Sequence, residues 1–104
     1  MSTRKKKSAA RAFLERLVGP LTFGSFLQAI REGEDWSQEE MGHRLGVSRA
    51  HLCDLEKGRR SVSPERAARF AKILGYSEAQ FVELALQQMV DSAGLRLSVA
   101  VRVA

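Results

Sequence analysis

The chain has 104 residues, with 17 Lys and Arg against 12 Asp and Glu and a single cysteine. That length suits one small domain, near the lower end of what buries its own core. One cysteine excludes an internal disulfide, and no apolar run approaches the ~20 residues of a membrane span, so a cytoplasmic protein without membrane association is expected. The charge is uneven. Residues 1–76 carry 15 basic against 9 acidic side chains and residues 77–104 carry 2 against 3, so a polyanion would be met by the first three-quarters.

Residues 1–8 begin with MSTRKKK and read as a disordered basic arm, either merely solvated or adding phosphate contacts. Ala9–Val18 predicts a short helix with Phe13, Leu14 and Leu17 on one side, ended by Gly19-Pro20. Thr22 caps the next helix, in which Phe23, Phe26, Leu27 and Ile30 form an amphipathic face. Gly33-Glu34-Asp35 connects it to Trp36, placed to fold back as a hydrophobic staple before the cap Ser37.

Ser37 with Glu40 predicts a capping box and a helix from Gln38 that Gly46 stops. Met41 and Leu45 share its inner face, and Gly42 suits a close approach by the following helix. Val47 alone separates Gly46 from a second cap, Ser48. Leu52 and Leu55 then point inward, while Arg49, Ala50, Cys53, Asp54 and Lys57 share the outer face until Gly58. A turn this tight crosses two helices steeply, as in a helix-turn-helix. Arg59-Arg60-Ser61-Val62 is a basic loop, and Ser63-Pro64 opens a helix carrying Ala67, Phe70, Ala71 and Leu74 as far as Gly75.

Ser77 with Gln80 predicts another capping box and a helix to about Asp91. It bears Phe81, Val82, Leu84, Ala85, Leu86, Met89 and Val90, more apolar surface than one stripe requires, so part of it is expected against another chain. After Ser92-Ala93-Gly94 the period changes to two: Leu95, Leu97, Val99, Val101 and Val103 alternate with Arg96, Ser98, Ala100 and Arg102. A strand without a ladder partner is unstable, so Leu95–Val103 is expected to pair with a second copy or a different protein.

The row Gln38, Met41, Gly42, Leu45, Gly46, Val47, Leu52, Leu55, Glu56, Gly58 resembles the Cro/C1-type (XRE) helix-turn-helix family. The likeness extends back to Phe26-Leu27 and Arg31 and forward to Leu74-Gly75, covering roughly residues 22–76; Gly42 departs from the family's usual alanine. It implies an all-α helix-turn-helix domain, assigned to residues 9–76; the whole chain is expected to form five or six short helices and one C-terminal strand, with residues 77–104, which the likeness does not cover, read from their own pattern as a dimerisation or partner-binding extension. It also implies a buried ion pair between Arg31 and Glu56.

Carried over residue by residue, the resemblance puts Gln38 and Ser48 on phosphates at two helix N-termini, with Lys57, Arg59 and Arg60 on the adjacent backbone. Arg49, Ala50 and Asp54 then face base edges, with Cys53 at the margin. Arg49 is the strongest candidate reader, because guanidinium pairs bidentately with guanine.

The implied function is a homodimeric repressor on double-stranded DNA with a palindromic operator. Two alternatives stand beside it: an antitoxin of the HigA-like kind, whose C-terminal extension silences a toxin, and an interaction module without DNA binding, which Asp54 favours because carboxylates repel phosphate. No enzyme, cofactor or metal is expected. His51 and Cys53 diverge on their helix, and no second cluster completes a tetrahedral zinc site.

Overall fold

The computed structural model describes residues 21–104, and these form five helices: α1 Phe23–Gly33, α2 Gln38–Leu45, α3 Arg49–Glu56, α4 Pro64–Leu74 and α5 Glu78–Ser92. The basic arm 1–8 and the helix predicted over Ala9–Val18 lie outside the described residues. By compactness the chain divides into two units at Arg60 and Ser61.

In the first unit, α1 and α2 both pack on α3. The caps are the ones the sequence calls for. Thr22 Oγ1 accepts from the Ser25 amide at 3.0 Å, and Ser25 returns a bond to the Thr22 amide, a box completed by serine. Ser37 Oγ accepts from the Glu40 amide at 3.0 Å while Glu40 Oε1 accepts from the Ser37 amide at 2.8 Å. Gly46 closes α2 at φ 75°, a left-handed conformation that costs a residue with a Cβ about 1–2 kcal/mol.

Phe23, Leu27, Ala29, Ile30, Met41, Leu52 and Leu55 are fully buried. Trp36 is half-buried and carries the Arg44 guanidinium 4.2 Å from its ring centroid, so the staple position holds a cation–π contact.

Two glycines set how closely these helices approach. A Cβ on Gly24 would stand 2.4 Å from the carbonyl oxygens of both Leu55 and Glu56, so α1 lies directly against the C-terminal backbone of α3. A Cβ on Gly42 would stand 2.7 Å from the Val47 carbonyl oxygen. The close approach expected at Gly42 is therefore made by the turn between α2 and α3, not by the side-chain face of α3.

In the second unit, Ser63 caps α4 with Pro64 in its first turn, and α4 packs on α5. Ala67, Phe70, Ala71, Phe81 and Ala85 are fully buried, and the Tyr76 ring sits 6.1 Å from that of Phe81. Of the box predicted at Ser77, only the half in which Ser77 Oγ accepts from the Gln80 amide is formed.

The strand expected over Leu95–Val103 is not found, and pairing of that segment with another chain is not supported: among the described residues there is no strand. The reason lies in α5. Gln87 donates from Nε2 to the Leu97 carbonyl at 2.8 Å and accepts from the Val99 amide at 2.8 Å, while Glu83 Oε1 accepts from the Val101 amide at 3.0 Å. Two side chains supply what a ladder partner would. Backbone satisfaction does not bury the side chains, however. Val99 and Val101 are half-buried, but Leu95, Leu97 and Val103 remain 51, 61 and 88% exposed.

Candidate nucleic-acid interface

The interface candidate lies in the first unit and starts from a buried charge. Glu56 ends α3 with its side chain 3% exposed, and it accepts two bonds from Arg31 of α1: Nε at 2.7 Å and Nη2 at 3.1 Å. The third Arg31 nitrogen, Nη1, donates to the Trp36 carbonyl at 3.1 Å. Gln38 Nε2 donates to Glu56 Oε1 at 3.1 Å. One carboxylate thus ties α1 and the start of α2 to the end of α3. The Arg31 pKa is raised, first by the hydrogen bond it donates to Glu56 and then by the charges of Glu56 and Glu32, against a lowering from burial. Arg31 is therefore a permanent cation.

With its inner face fixed by Leu52, Leu55 and Glu56, α3 turns the opposite row outward. Arg49, Ala50 and Lys57 are exposed, and Cys53 and Asp54 are half-buried. Ser48 Oγ accepts from the His51 amide at 3.0 Å, so the cap spends its hydroxyl on its own helix and leaves the first backbone amides of α3 to the outside. An open groove of about 580 Å³ runs between this row and the start of α2, lined by Arg31, Ser37, Gln38, Glu39, Arg49, Cys53 and Lys57. Four of the predicted contact residues, Gln38, Arg49, Cys53 and Lys57, share that groove; Ser48, Ala50, Asp54, Arg59 and Arg60 lie outside its lining.

Residues 22–84 match the family model of a helix-turn-helix domain. The chain belongs to the helix-turn-helix family, of the Cro/C1 kind. No curated protein and no solved structure matches it. The match spans all of α1 to α4 and the start of α5, and within it α2 and α3, joined by the tight turn Gly46–Ser48, have the form of the helix-turn-helix pair, with α3 its second helix.

Three features of this helix-turn-helix were not read from the sequence. Gly24 is one, because a glycine early in an amphipathic pattern gives no sign of what will lie against it. The Gln38–Glu56 bond is another: residues 18 apart in sequence meet only once the helices cross. The third is an ion pair. Arg59 Nε donates to Asp54 Oδ1 at 3.0 Å, and Arg59 Nη2 lies 3.9 Å from Cys53 Sγ.

This last pair had a local signal. Gly58 at φ 74° puts the chain in the left-handed conformation just past α3, with the Gly58 amide on the Leu55 carbonyl and the Arg59 amide on the Asp54 carbonyl at 2.9 Å. A helix closed in that way brings residues five apart side by side. Asp54 also ceases to be an argument against polyanion binding, since an arginine already neutralises it. Among the described residues no group of His, Cys, Asp and Glu could hold a metal ion, and no helix is long and apolar enough to cross a membrane.

Proposed function

We propose that this protein is a sequence-specific DNA-binding transcriptional regulator, a repressor that acts as a homodimer on a palindromic operator. The observation that carries the reading is the outward row of α3, held by the buried Arg31–Glu56–Gln38 cluster and flanked by Arg59 and Arg60. The row enters the major groove with Arg49 on a guanine edge and Ala50 and Cys53 beside it. The amides at the starts of α2 and α3, at Gln38 and Ser48, meet phosphates, with Lys57 and Arg60 on the adjoining backbone. Specific affinity from so small a reader calls for two copies, and the α5–tail unit, with Met89, Leu95, Leu97 and Val103 exposed, is the face that would join them.

The same exposed face supports the antitoxin reading, in which it covers a toxin. Binding to DNA from the protein's own upstream region should weaken with salt, the log–log slope being about −0.9 per phosphate neutralised. Binding insensitive to salt, or none at low salt, would reject the regulator in favour of an interaction module. Sedimentation of the protein alone and with the product of the neighbouring gene separates a homodimer from a toxin complex.

A further inference from the structure

We infer that Arg59 reads a base edge and that Asp54 is the residue that positions it for this. This inference rests on the DNA-binding reading and changes the role of Arg59 within it, from holding the backbone to selecting a guanine. Three observations carry it. The Arg59 amide bonds to the Asp54 carbonyl, so the start of this side chain is fixed against the last turn of α3 and does not swing with the loop. Its Nε bonds Asp54 Oδ1 at 3.0 Å, and Nη2 lies 3.9 Å from Cys53 Sγ. The guanidinium is thereby laid over positions 53 and 54, inside the outward row.

Those contacts use Nε–H and at most one hydrogen of Nη2. The opposite edge, Nη1 with the other Nη2 hydrogen, makes no hydrogen bond among the described residues. That edge presents two parallel donors, which is what guanine O6 and N7 accept. A long side chain held in one orientation before binding also loses less rotamer freedom on binding.

The carboxylate explains why position 54 can be acidic on a DNA-facing helix. Alone, Asp54 would repel phosphate. Bonded to Arg59 it directs a cation instead. An exposed pair of this kind adds little to stability, so its consequence belongs in recognition.

The test is selection of binding sites from random duplexes with the full chain, followed by titration of the selected site, of single-base variants and of random DNA. The proteins are wild type, Arg59→Ala, Arg59→Lys, Asp54→Ala and the Arg59→Ala/Asp54→Ala pair. Arg59→Ala should erase preference at one guanine and weaken the selected site roughly 10- to 100-fold while random DNA changes only several-fold. Arg59→Lys should keep random binding and still lose that guanine, since lysine offers a point charge and no fork.

Asp54→Ala should act in opposite directions on the two DNAs. Discrimination falls at the same guanine, while random binding is unchanged or tighter for want of a negative charge. In the Arg59→Ala background, Asp54→Ala should have no further effect on sequence preference.

The inference is overturned if Arg59→Ala weakens selected and random DNA by the same factor, the mark of a phosphate contact. It is overturned equally if Asp54→Ala tightens both alike, the mark of a merely repulsive carboxylate. Failure of the wild-type protein to select any sequence is a different outcome, rejecting the regulator reading and this inference with it. Helical circular dichroism of each variant confirms that the compared proteins are folded.

Discussion

Glu56→Ala tests whether the buried carboxylate holds the helix-turn-helix together. The substitution removes two bonds to Arg31 and one to Gln38, and leaves a guanidinium only 14% exposed with the Glu32 carboxylate at 4.0 Å in place of a bonded counter-ion. Breaking a buried pair from one side costs about 3–5 kcal/mol. Arg31 keeps its bond to the Trp36 carbonyl, and its partial exposure admits water, so the low end applies, about 3 kcal/mol. For a chain of this size that corresponds to a fall in Tm of roughly 12–24 °C.

Urea titration followed by circular dichroism measures the loss. The double replacement Arg31→Met with Glu56→Leu should recover most of it, because removing both charges leaves neither one stranded. The pH dependence is fixed by the direction of the Arg31 shift. A raised pKa means the arginine's contribution is complete below its ordinary, strongly basic value and is lost only above it, so the deficit of Glu56→Ala should be alike at pH 6 and pH 9. A loss under 1 kcal/mol, or an equal loss in the double variant, would refute the reasoning.

Gly24→Ala drives a Cβ into two backbone carbonyls and should cost about 1–3 kcal/mol despite alanine's better helix propensity; Gly42→Ala, against one carbonyl, should cost less, both by urea titration. Gln87→Ala should release the tail without unfolding α5, so that amide exchange at Val99 accelerates strongly while that at Val101, held by Glu83, changes less. Arg49→Ala should cost about 1–3 kcal/mol on the preferred site and relax one base position in site selection, with little change in Tm because the side chain is exposed.

Much of the first unit was legible because its signals are local. Ser37 and Glu40, Gly46 and Ser48 mark the ends of α2 and the start of α3 by short-range hydrogen bonds and a single positive φ, and each acts in the structure as its residue type dictates. The outward row followed from helical spacing once Leu52 and Leu55 were placed inside. The tail was misread for an equally physical reason. Strict alternation at Leu95–Val103 reports which side chains share a face, but not what satisfies the backbone. A glutamine amide carries a donor and an acceptor at the spacing of a peptide group, so Gln87 could stand in for a strand, and no pattern within residues 95–103 reveals that. Contacts between distant segments, Gly24 against the Leu55 and Glu56 backbone carbonyls and Gln38 on the Glu56 carboxylate, were illegible on the same ground.

The recognition helix is eight residues long, below the ~12–15 at which an isolated helix becomes even marginal in water. Its persistence must come from both of its ends. At the start, Ser48 caps it and Gly42 lets the Val47 carbonyl sit tight against α2. At the finish, Glu56 is bonded by Arg31 and Gln38, Gly24 admits the last carbonyls against α1, and Gly58 folds Arg59 back onto Asp54. Between these two clamps only Leu52 and Leu55 face inward as apolar residues, so, on the proposed DNA-binding reading, the exposed Arg49, Ala50 and Lys57 carry little structural duty and are left for contact with DNA. The converse also follows. Substitutions at Gly24 or Glu56, which would touch no base, should shift or loosen the helix and so weaken binding at every base position together, whereas changes at Arg49, Asp54 or Arg59 should alter preference one position at a time. A selection profile that separates these two behaviours would distinguish the residues that orient the helix from those that read.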